Sequence, residues 1–572
     1  MDSYVSLSDE NSPLLVDFHL PVSSSFAPHQ SKIFMSVRRS LTNCQIVTIF
    51  CNIPSRFITD YNVDYEAEMT ATLIILGCVG CFGYYLYYQF ISRRRGYPNG
   101  PIPLPVIGNL HQIDFDAPHV TMANWKKIYG PVFTVWLPKA NVVIADYSTL
   151  KEALIKQGDT FAGRYIGFVY GIFTRHAIDG TGIILSQKAG WQAQRRFSLH
   201  VFRNFGMGSN LMERKVMHQT WILIDHIKHE MNNNKSQVMN LELAISLCVG
   251  NIIHDLIMGR GFEYGDPKFT HFKHLIDSTL KQVASPQLLF IDTYPWLRFI
   301  IPGALGLTEY SKNGFAIQDF FLNEIEDHKK VLKLDSAPED YIDCYLLEMA
   351  RRRKAGEDMK HYDERTLAIN VGDLWTGGME TTLTTLRWGI LYLIRYPEVQ
   401  AKVYREIRSE LGTTPVCMAD KARMPYMSAT LNEIQRIINI LPWNIQHSTL
   451  KDTVLSGHKI RQGTTIMAQI AAVHVDPDIF PEPFEFRPQR FLDKSGQLIK
   501  IEEFNPFGLG KRSCLGESLA RMELFLIFTT LMQHFRFACV PGQVPTLKPI
   551  VGMTTVPRPY DCVVSLRNDN GH

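Results

Sequence analysis

The sequence predicts a mainly α-helical domain with a small β-sheet, preceded by one transmembrane helix. Three observations carry that prediction. Helical periodicity dominates, most clearly over Leu367 to Arg395 and Glu517 to Phe535. Extended, β-rich runs are few: Val132 to Leu137, Asn141 to Ile144, and short pieces between Lys459 and Gln469. From Thr70 to Ser92 there is no charged residue at all.

Composition narrows the function. With 45% hydrophobic and 20% charged residues, the 572-residue chain is neither disordered nor collagen-like. Ten scattered cysteines are too few for a disulfide framework. The 59 Lys and Arg against 56 Asp and Glu leave a net charge of +3, which provides no footprint for nucleic acid.

Taken in order, residues 1–68 are Ser-rich and lack an apolar face. Asp2, Asp9, Glu10 and Asp17 argue against a mitochondrial transit peptide. Met69 could itself serve as a start, so this segment reads as an extension of uncertain order. Residues 69–92 read as the anchor, long enough to cross a bilayer. Tyr84, Tyr85, Tyr87 and Tyr88 cluster towards one end, as interfacial aromatics do. Arg93, Arg94 and Arg95 follow, whereas acids precede, so the body is expected on the cytosolic side. Cys78 and Cys81 lie inside the span and are not a redox pair. Residues 93–107 are basic, then Pro-rich, and predict a stiff extended hinge. Residues 108–572 contain no second linker and no repeat, hence one domain.

Two motifs carry chemistry. Phe507, Gly510, Arg512, Cys514 and Gly516 fit F-x-x-G-x-R-x-C-x-G, directly before the apolar helix at Glu517. A helix N-terminus favours a thiolate, so a lowered Cys514 pKa and metal ligation are expected. Gly510 and Gly516 would let backbone approach a flat macrocycle, and Arg512 could neutralise a carboxylate. The second motif, Gly377-Gly378-Met379-Glu380-Thr381-Thr382, lies mid-helix. Each glycine there costs about 1 kcal/mol relative to alanine, and close approach of a cofactor or ligand would offset it. Thr381 Oγ1 can reach back to the Gly377 carbonyl and open a local groove. Alone, this motif could equally mark a helix–helix contact. Asp373, one turn earlier, is expected to bond nearby backbone.

Together these motifs resemble the cytochrome P450 family, specifically its microsomal, family-2-like haem-thiolate monooxygenases, over about Met69 to the C-terminus. The resemblance implies the cytochrome P450 fold and haem b, with Cys514 as its metal ligand and Phe507, Arg512 and Gly516 in the cofactor cradle. It implies that Glu380 and Thr381 deliver protons to dioxygen. Trp191 and Arg195 match a W-x-x-x-R, and with Arg164, His447 and Arg512 they are expected at the haem propionates. Glu433, Arg436 and Arg490 match a structural triad; Gln489 stands where the family usually has Glu. Substrate-pocket candidates are Phe168, Phe173, Gly377, Trp443, Ile445 and Met553, with Tyr170 in the same variable segment. Arg196 and Lys511 are expected near a face where an acidic electron donor docks.

The activity so implied inserts one atom of O2 into a small lipophilic substrate: a xenobiotic, fatty acid or steroid-like molecule. NADPH serves indirectly, through NADPH–cytochrome P450 reductase, with cytochrome b5 a further partner. The endoplasmic reticulum membrane is the expected location. Two other readings stay open: a haem-thiolate isomerase or dehydratase of lipid peroxides, and a non-catalytic membrane haem-binding protein.

Overall fold

The computed structural model describes residues 57–567, apart from 207–209, 234–236, 302 and 334–336. The extension over residues 1–56 therefore lies outside the described residues. Helix α1, Phe57–Phe90, begins twelve residues ahead of the predicted anchor. Ala67–Arg94, which runs from within it past its end, is long and apolar enough to cross a bilayer, and none of its apolar window is buried.

Residues 93–107, expected as a stiff, extended hinge, are held against the sheet. They lie on strand β1, Val132–Leu137, which pairs antiparallel with β2, Lys139–Ile144. Thr134 N donates to Asn99 O at 3.2 Å, and Asn109 N donates to Trp136 O at 2.8 Å. Pro98, Pro101 and Pro103 are buried. A β-carbon on Gly100 would lie 2.0 Å from Thr134 O, so only glycine permits this approach. Proline's missing donors are no loss at this contact, because the stretch meets β1 through a carbonyl, that of Asn99.

The sheet has five strands in the order β1-β2-β5-β4-β3, where β3 is Gly163–Arg164, β4 is His447–Ser448 and β5 is Thr465–Ala468. β5 pairs parallel with β2, and β4 pairs antiparallel with both β5 and β3. The register places Arg164 directly opposite His447. That pairing joins two segments far apart in the chain at the rim of the site.

Apart from three smaller sheets of two or three strands, helices build the rest of the described residues. They include α2, Lys188–Asn204; α3, Glu242–Met258; α4, Pro267–Val283; α5, Leu307–Val331; α6, Glu364–Arg395; α7, Pro425–Ile438; and α8, Glu517–His534. The predicted helices at 367–395 and 517–535 are α6 and α8. Asp363 caps α6 by accepting from Thr366 N, and Pro397 lies just past its end. α6 packs against α3, α5, α7 and α8, and its second half is buried almost throughout. α8 is buried on most sides. The functional cavity lies where the middle of α6 passes the start of α8.

Candidate functional site

Cys514 ends a tight loop just before α8. Its amide donates to Phe507 O at 2.8 Å, and Ser513 N donates to Gly510 O at 3.1 Å. Its side chain is exposed to the cavity it helps line. Gly510 has φ +69°, and a β-carbon there would sit 1.9 Å from Leu154 O. Protein backbone therefore requires that glycine, not approach of a macrocycle as predicted. Gly516 differs: a β-carbon would meet nothing within 4 Å, so its face is open to a flat group.

The Cys514 thiol also departs from expectation. Burial pushes its pKa up. The Gly516 amide lowers it, Glu517 adds to burial, and Arg195 and Arg521 oppose both. One helix N-terminus does not outweigh desolvation. A cation bound to sulfur would, since a coordinating thiol is deprotonated outright.

A cationic rim surrounds the same cavity. Arg164, Arg195 and Arg512 all line it, beside Trp191 and His447. Arg164 donates to Ile184 O at 3.1 Å and Ile445 O at 3.0 Å; Arg195 donates to Ser513 O at 2.7 Å. Arg512 donates to Ala162 O at 2.9 Å and Ser186 O at 2.5 Å, and lies 3.8 Å above the Trp191 ring. Burial, then repulsion by Arg164 and Arg195, brings Arg512 down to about 7. Burial and Arg195 bring Arg164 to about 9. Trp191 Nε1 is buried without an acceptor. His447 Nδ1 lies 2.8 Å from Phe161 O, which only accepts, so that nitrogen carries the hydrogen. Burial, with Arg164 and Arg512 nearby, holds this imidazole neutral.

Three mutually repelling guanidiniums and an orphaned indole N–H suit an acceptor carrying two carboxylates. These residues fit a haem: Trp191, Arg164, Arg195, Arg512 and His447 would hold its propionates, and Cys514 would supply a ligand to the iron. A propionate would also relieve the depressed arginines and let His447 take up a second proton.

On α6, Thr381 and Gly377 line the cavity, and Thr381 Oγ1 donates to Gly377 O at 2.9 Å. The two motif glycines separate physically. A β-carbon on Gly377 would meet nothing within 4 Å, whereas one on Gly378 would lie 2.6 Å from Ile253 Cδ1 of α3. Both glycines line the cavity, and packing against α3 further requires the second. Asp373 bonds distant backbone, accepting from Ile183 N at 2.7 Å and Ile184 N at 2.9 Å. That ties the variable loop to α6.

Glu380 is buried but is not among the cavity's lining residues; successive helix positions point about 100° apart. Its Oε1 accepts from Thr384 Oγ1 at 3.1 Å, and its Oε2 has no partner. Burial, then the Asp277 charge, raises its carboxyl to about 7 against the pull of Lys273. Lys273 pairs with Asp277 at 2.5 Å and Glu242 at 3.6 Å.

A second carboxyl was not anticipated. Glu523 of α8 lines the cavity, accepts from Thr382 Oγ1 at 3.1 Å, and leaves Oε1 unpartnered. Burial raises it to about 8. A lone acid in the apolar run after Arg521 was the available signal. The folded value exceeds the ordinary one, so the folded chain keeps the proton and loses stability as pH rises from about 5 to about 8. Glu523→Gln should match the parent's melting temperature near pH 5 and exceed it near pH 8 by about 2 °C or more, measured by thermal melts.

Of the six substrate-pocket candidates, Gly377 and Ile445 line the cavity. Phe168, Phe173 and Met553 instead pack with Tyr170 around Ile172, Leu288 and Tyr310 in a separate apolar cluster. Trp443 lies against Phe115, with ring centroids 5.9 Å apart. These four side chains satisfy the core rather than the cavity, which takes its apolar wall from Ile183, Ile184, Leu374, Ile440 and Leu441. Phe507 lines the cavity, with the Arg521 guanidinium 4.6 Å from its ring centre.

The triad is buried beside α7. Glu433 and Arg436 are both 0% exposed and form a two-point ion pair at 2.7 and 2.8 Å. Arg490 Nε reaches Glu433 Oε1 at 3.1 Å, and Arg487 N reaches the same oxygen at 2.8 Å. Arg436 and Arg490 spend their remaining donors on carbonyls of residues 474–485. Gln489 reaches only the Tyr426 hydroxyl, at 3.4 Å. Arg196 and Lys511 line an open groove of about 580 Å³ with Gln192, His200 and Arg203 along α2.

Comparison with known proteins agrees with this geometry. The family description "Cytochrome P450" matches residues 98–564. A Rattus norvegicus protein, cytochrome P450 2C23, is 38% identical over 479 residues, covering 82% of this chain and 94% of its own. A Caenorhabditis elegans 3-ketosteroid oxygenase is 35% identical over 479 residues, covering 83% and 81%. A probable cytochrome P450 CYP36A1 from the same organism is 34% identical over 482 residues, covering 84% and 96%.

Proposed function

Because the chain belongs to the cytochrome P450 family, we propose that it is a membrane-anchored monooxygenase of small lipophilic molecules. The observation that carries the reading is the convergence of Cys514, the cationic rim and Thr381 on one apolar cavity. Haem b, once bound, supplies dioxygen activation through a thiolate-ligated iron.

The chain's own residues do the rest. Arg164, Arg195, Arg512, Trp191 and His447 orient the cofactor through its propionates. Isoleucine and leucine side chains around the cavity exclude water and select an apolar substrate. The Thr381 hydroxyl, held by the Gly377 carbonyl, is placed to pass a proton into the cavity. Glu380, poised near 7 behind the helix, serves as a proton reserve whose charge Lys273 balances.

The substrate class is a xenobiotic, fatty acid or steroid-like lipid; one relative's name specifies a 3-ketosteroid. Electrons come from NADPH through its cytochrome P450 reductase, with cytochrome b5 as a further donor. The groove with Arg196, Arg203 and Lys511 suits an acidic partner. Arg93, Arg94 and Arg95, following the apolar helix, support a catalytic domain on the cytosolic face of the endoplasmic reticulum.

Turnover with NADPH and reductase, on substrates selected by haem absorbance shifts, tests the proposal. Product formed without reductase would instead indicate rearrangement of lipid peroxides. Thr381→Ala should keep the haem spectrum while product per NADPH consumed falls about 10- to 100-fold, because water replaces the hydroxyl only in part. Unchanged coupling would remove Thr381 from proton delivery.

A further inference from the structure

Glu523 lines the cavity from α8, alongside Leu519, Leu524 and Ile253, and is 1% exposed. Its bond to the rest of the described structure is the one that Oε2 accepts from Thr382 Oγ1 at 3.1 Å. No cation among the described residues pairs with it. A glutamine there could accept the same hydrogen bond without bringing an ionisable group to an apolar wall. Bonding to Thr382 therefore does not call for an acid. A buried acid that costs stability near pH 8 fits a group whose proton is used.

The surroundings leave its charge uncompensated. On α3, the Cys248 thiol feels Glu523 and is itself kept protonated by burial. On α6, Asp373 lines the same cavity with its carboxylate held by two backbone amides, while Glu380 lies off it. From α7 the wall receives the neutral Gln435. On α8 itself, Arg521 turns to Glu517 at 2.9 Å. The other titratable or charged lining is Arg164, Arg195, Arg512, His447, Cys514 and His474, the last held neutral by burial. Five of these six are the residues that fit the propionates and the iron. A ferric haem with a thiolate ligand is close to neutral at its centre, because porphyrin and sulfur together match the iron's charge. One added electron leaves a net negative charge there, and an apolar wall screens it poorly. Such a charge favours the protonated form of a nearby acid.

We propose that Glu523 couples reduction of the bound haem to proton uptake: an electron on the iron draws a proton from solvent onto its carboxylate. The linkage rests on the haem-thiolate reading of the cavity and goes beyond it. The electron comes from NADPH through the reductase, and the one bond formed is the O–H of the Glu523 carboxyl. Reoxidation returns that proton. At an effective dielectric near 20 and a separation on the order of 10 Å, one charge changes proton affinity about tenfold. The charge inside the cavity then stays nearly constant through reduction, and a proton is stored one hydrogen bond from Thr382, the neighbour of Thr381.

Spectroelectrochemical titration of the full-length, haem-loaded, substrate-free protein in detergent tests this. The reduction potential is followed from about pH 7 to about pH 9.5, with the thiolate carbon-monoxide spectrum checked at each pH. Burial sets the carboxyl at about 8, so the potential should fall as pH rises past that value. The fall should be most of about 59 mV, the one-electron equivalent of a tenfold change. Glu523→Gln, which keeps an acceptor for Thr382, should abolish it. Thr382→Val removes the hydroxyl that favours the ionised form and should move the fall about one pH unit higher. A merely structural Glu523 would produce neither effect. A potential independent of pH, with the thiolate spectrum intact, would overturn the linkage and leave the haem-thiolate reading standing. An equal fall in Glu523→Gln would assign the proton to another group and overturn it as well. Absence of a thiolate spectrum in the parent protein would overturn the underlying reading, and the linkage with it.

Discussion

Cys514→Ala is expected to give a folded chain with no thiolate-ligated haem and no monooxygenase activity. The sulfur faces the cavity and the residue's own amide holds the loop through Phe507 O, so folding does not depend on the side chain. The chemistry does. Burial keeps the Cys514 thiol protonated in the protein alone, and only a bound iron makes the charged ligand favourable. An imidazole at this place, Cys514→His, should bind haem through nitrogen without restoring dioxygen cleavage, since a neutral ligand pushes less electron density to iron. Absorbance spectra of the two variants, alongside turnover with reductase, check both halves. Retained activity in Cys514→Ala would sever the cavity from the chemistry.

Glu433→Ala is expected to cost about 3–5 kcal/mol and with it most of the soluble, haem-loaded protein. Arg436 is 0% exposed, and Arg490 shares the same carboxylate, so removal leaves buried cations without their counter-charge. Against a typical total stability of about 5–15 kcal/mol, that loss is a large share. Arg487 provides the internal control. Its amide uses Glu433, but its side chain is an exposed partner of Glu482, so Arg487→Ala should cost less than about 1 kcal/mol. Urea unfolding of the three proteins measures the contrast. Equal losses in both variants would mean the triad is an ordinary surface ion pair.

The features legible in the sequence were those that act through periodicity or a fixed motif. α6 and α8 announced themselves by period, and the loop before α8 by glycines around one cysteine. The two-residue strands β3 and β4 carry no such signal, yet their register sets Arg164 against His447. The Gly377-Gly378 pair looked uniform along the chain and separates only in three dimensions: both line the cavity, but only Gly378 is also held tight against Ile253. Large apolar side chains were misleading because core and pocket use the same residues; Phe168, Phe173 and Met553 went to the core. The direction of the Cys514 shift depends on how deeply the loop is buried, which spacing does not reveal.

The reduced carbon-monoxide difference spectrum of the unmodified, full-length protein tests the central claim most directly. The account predicts the red-shifted Soret band of thiolate-ligated haem, lost in Cys514→Ala. A spectrum of nitrogen-ligated haem in freshly prepared, folded protein, or one indifferent to Cys514, would contradict it.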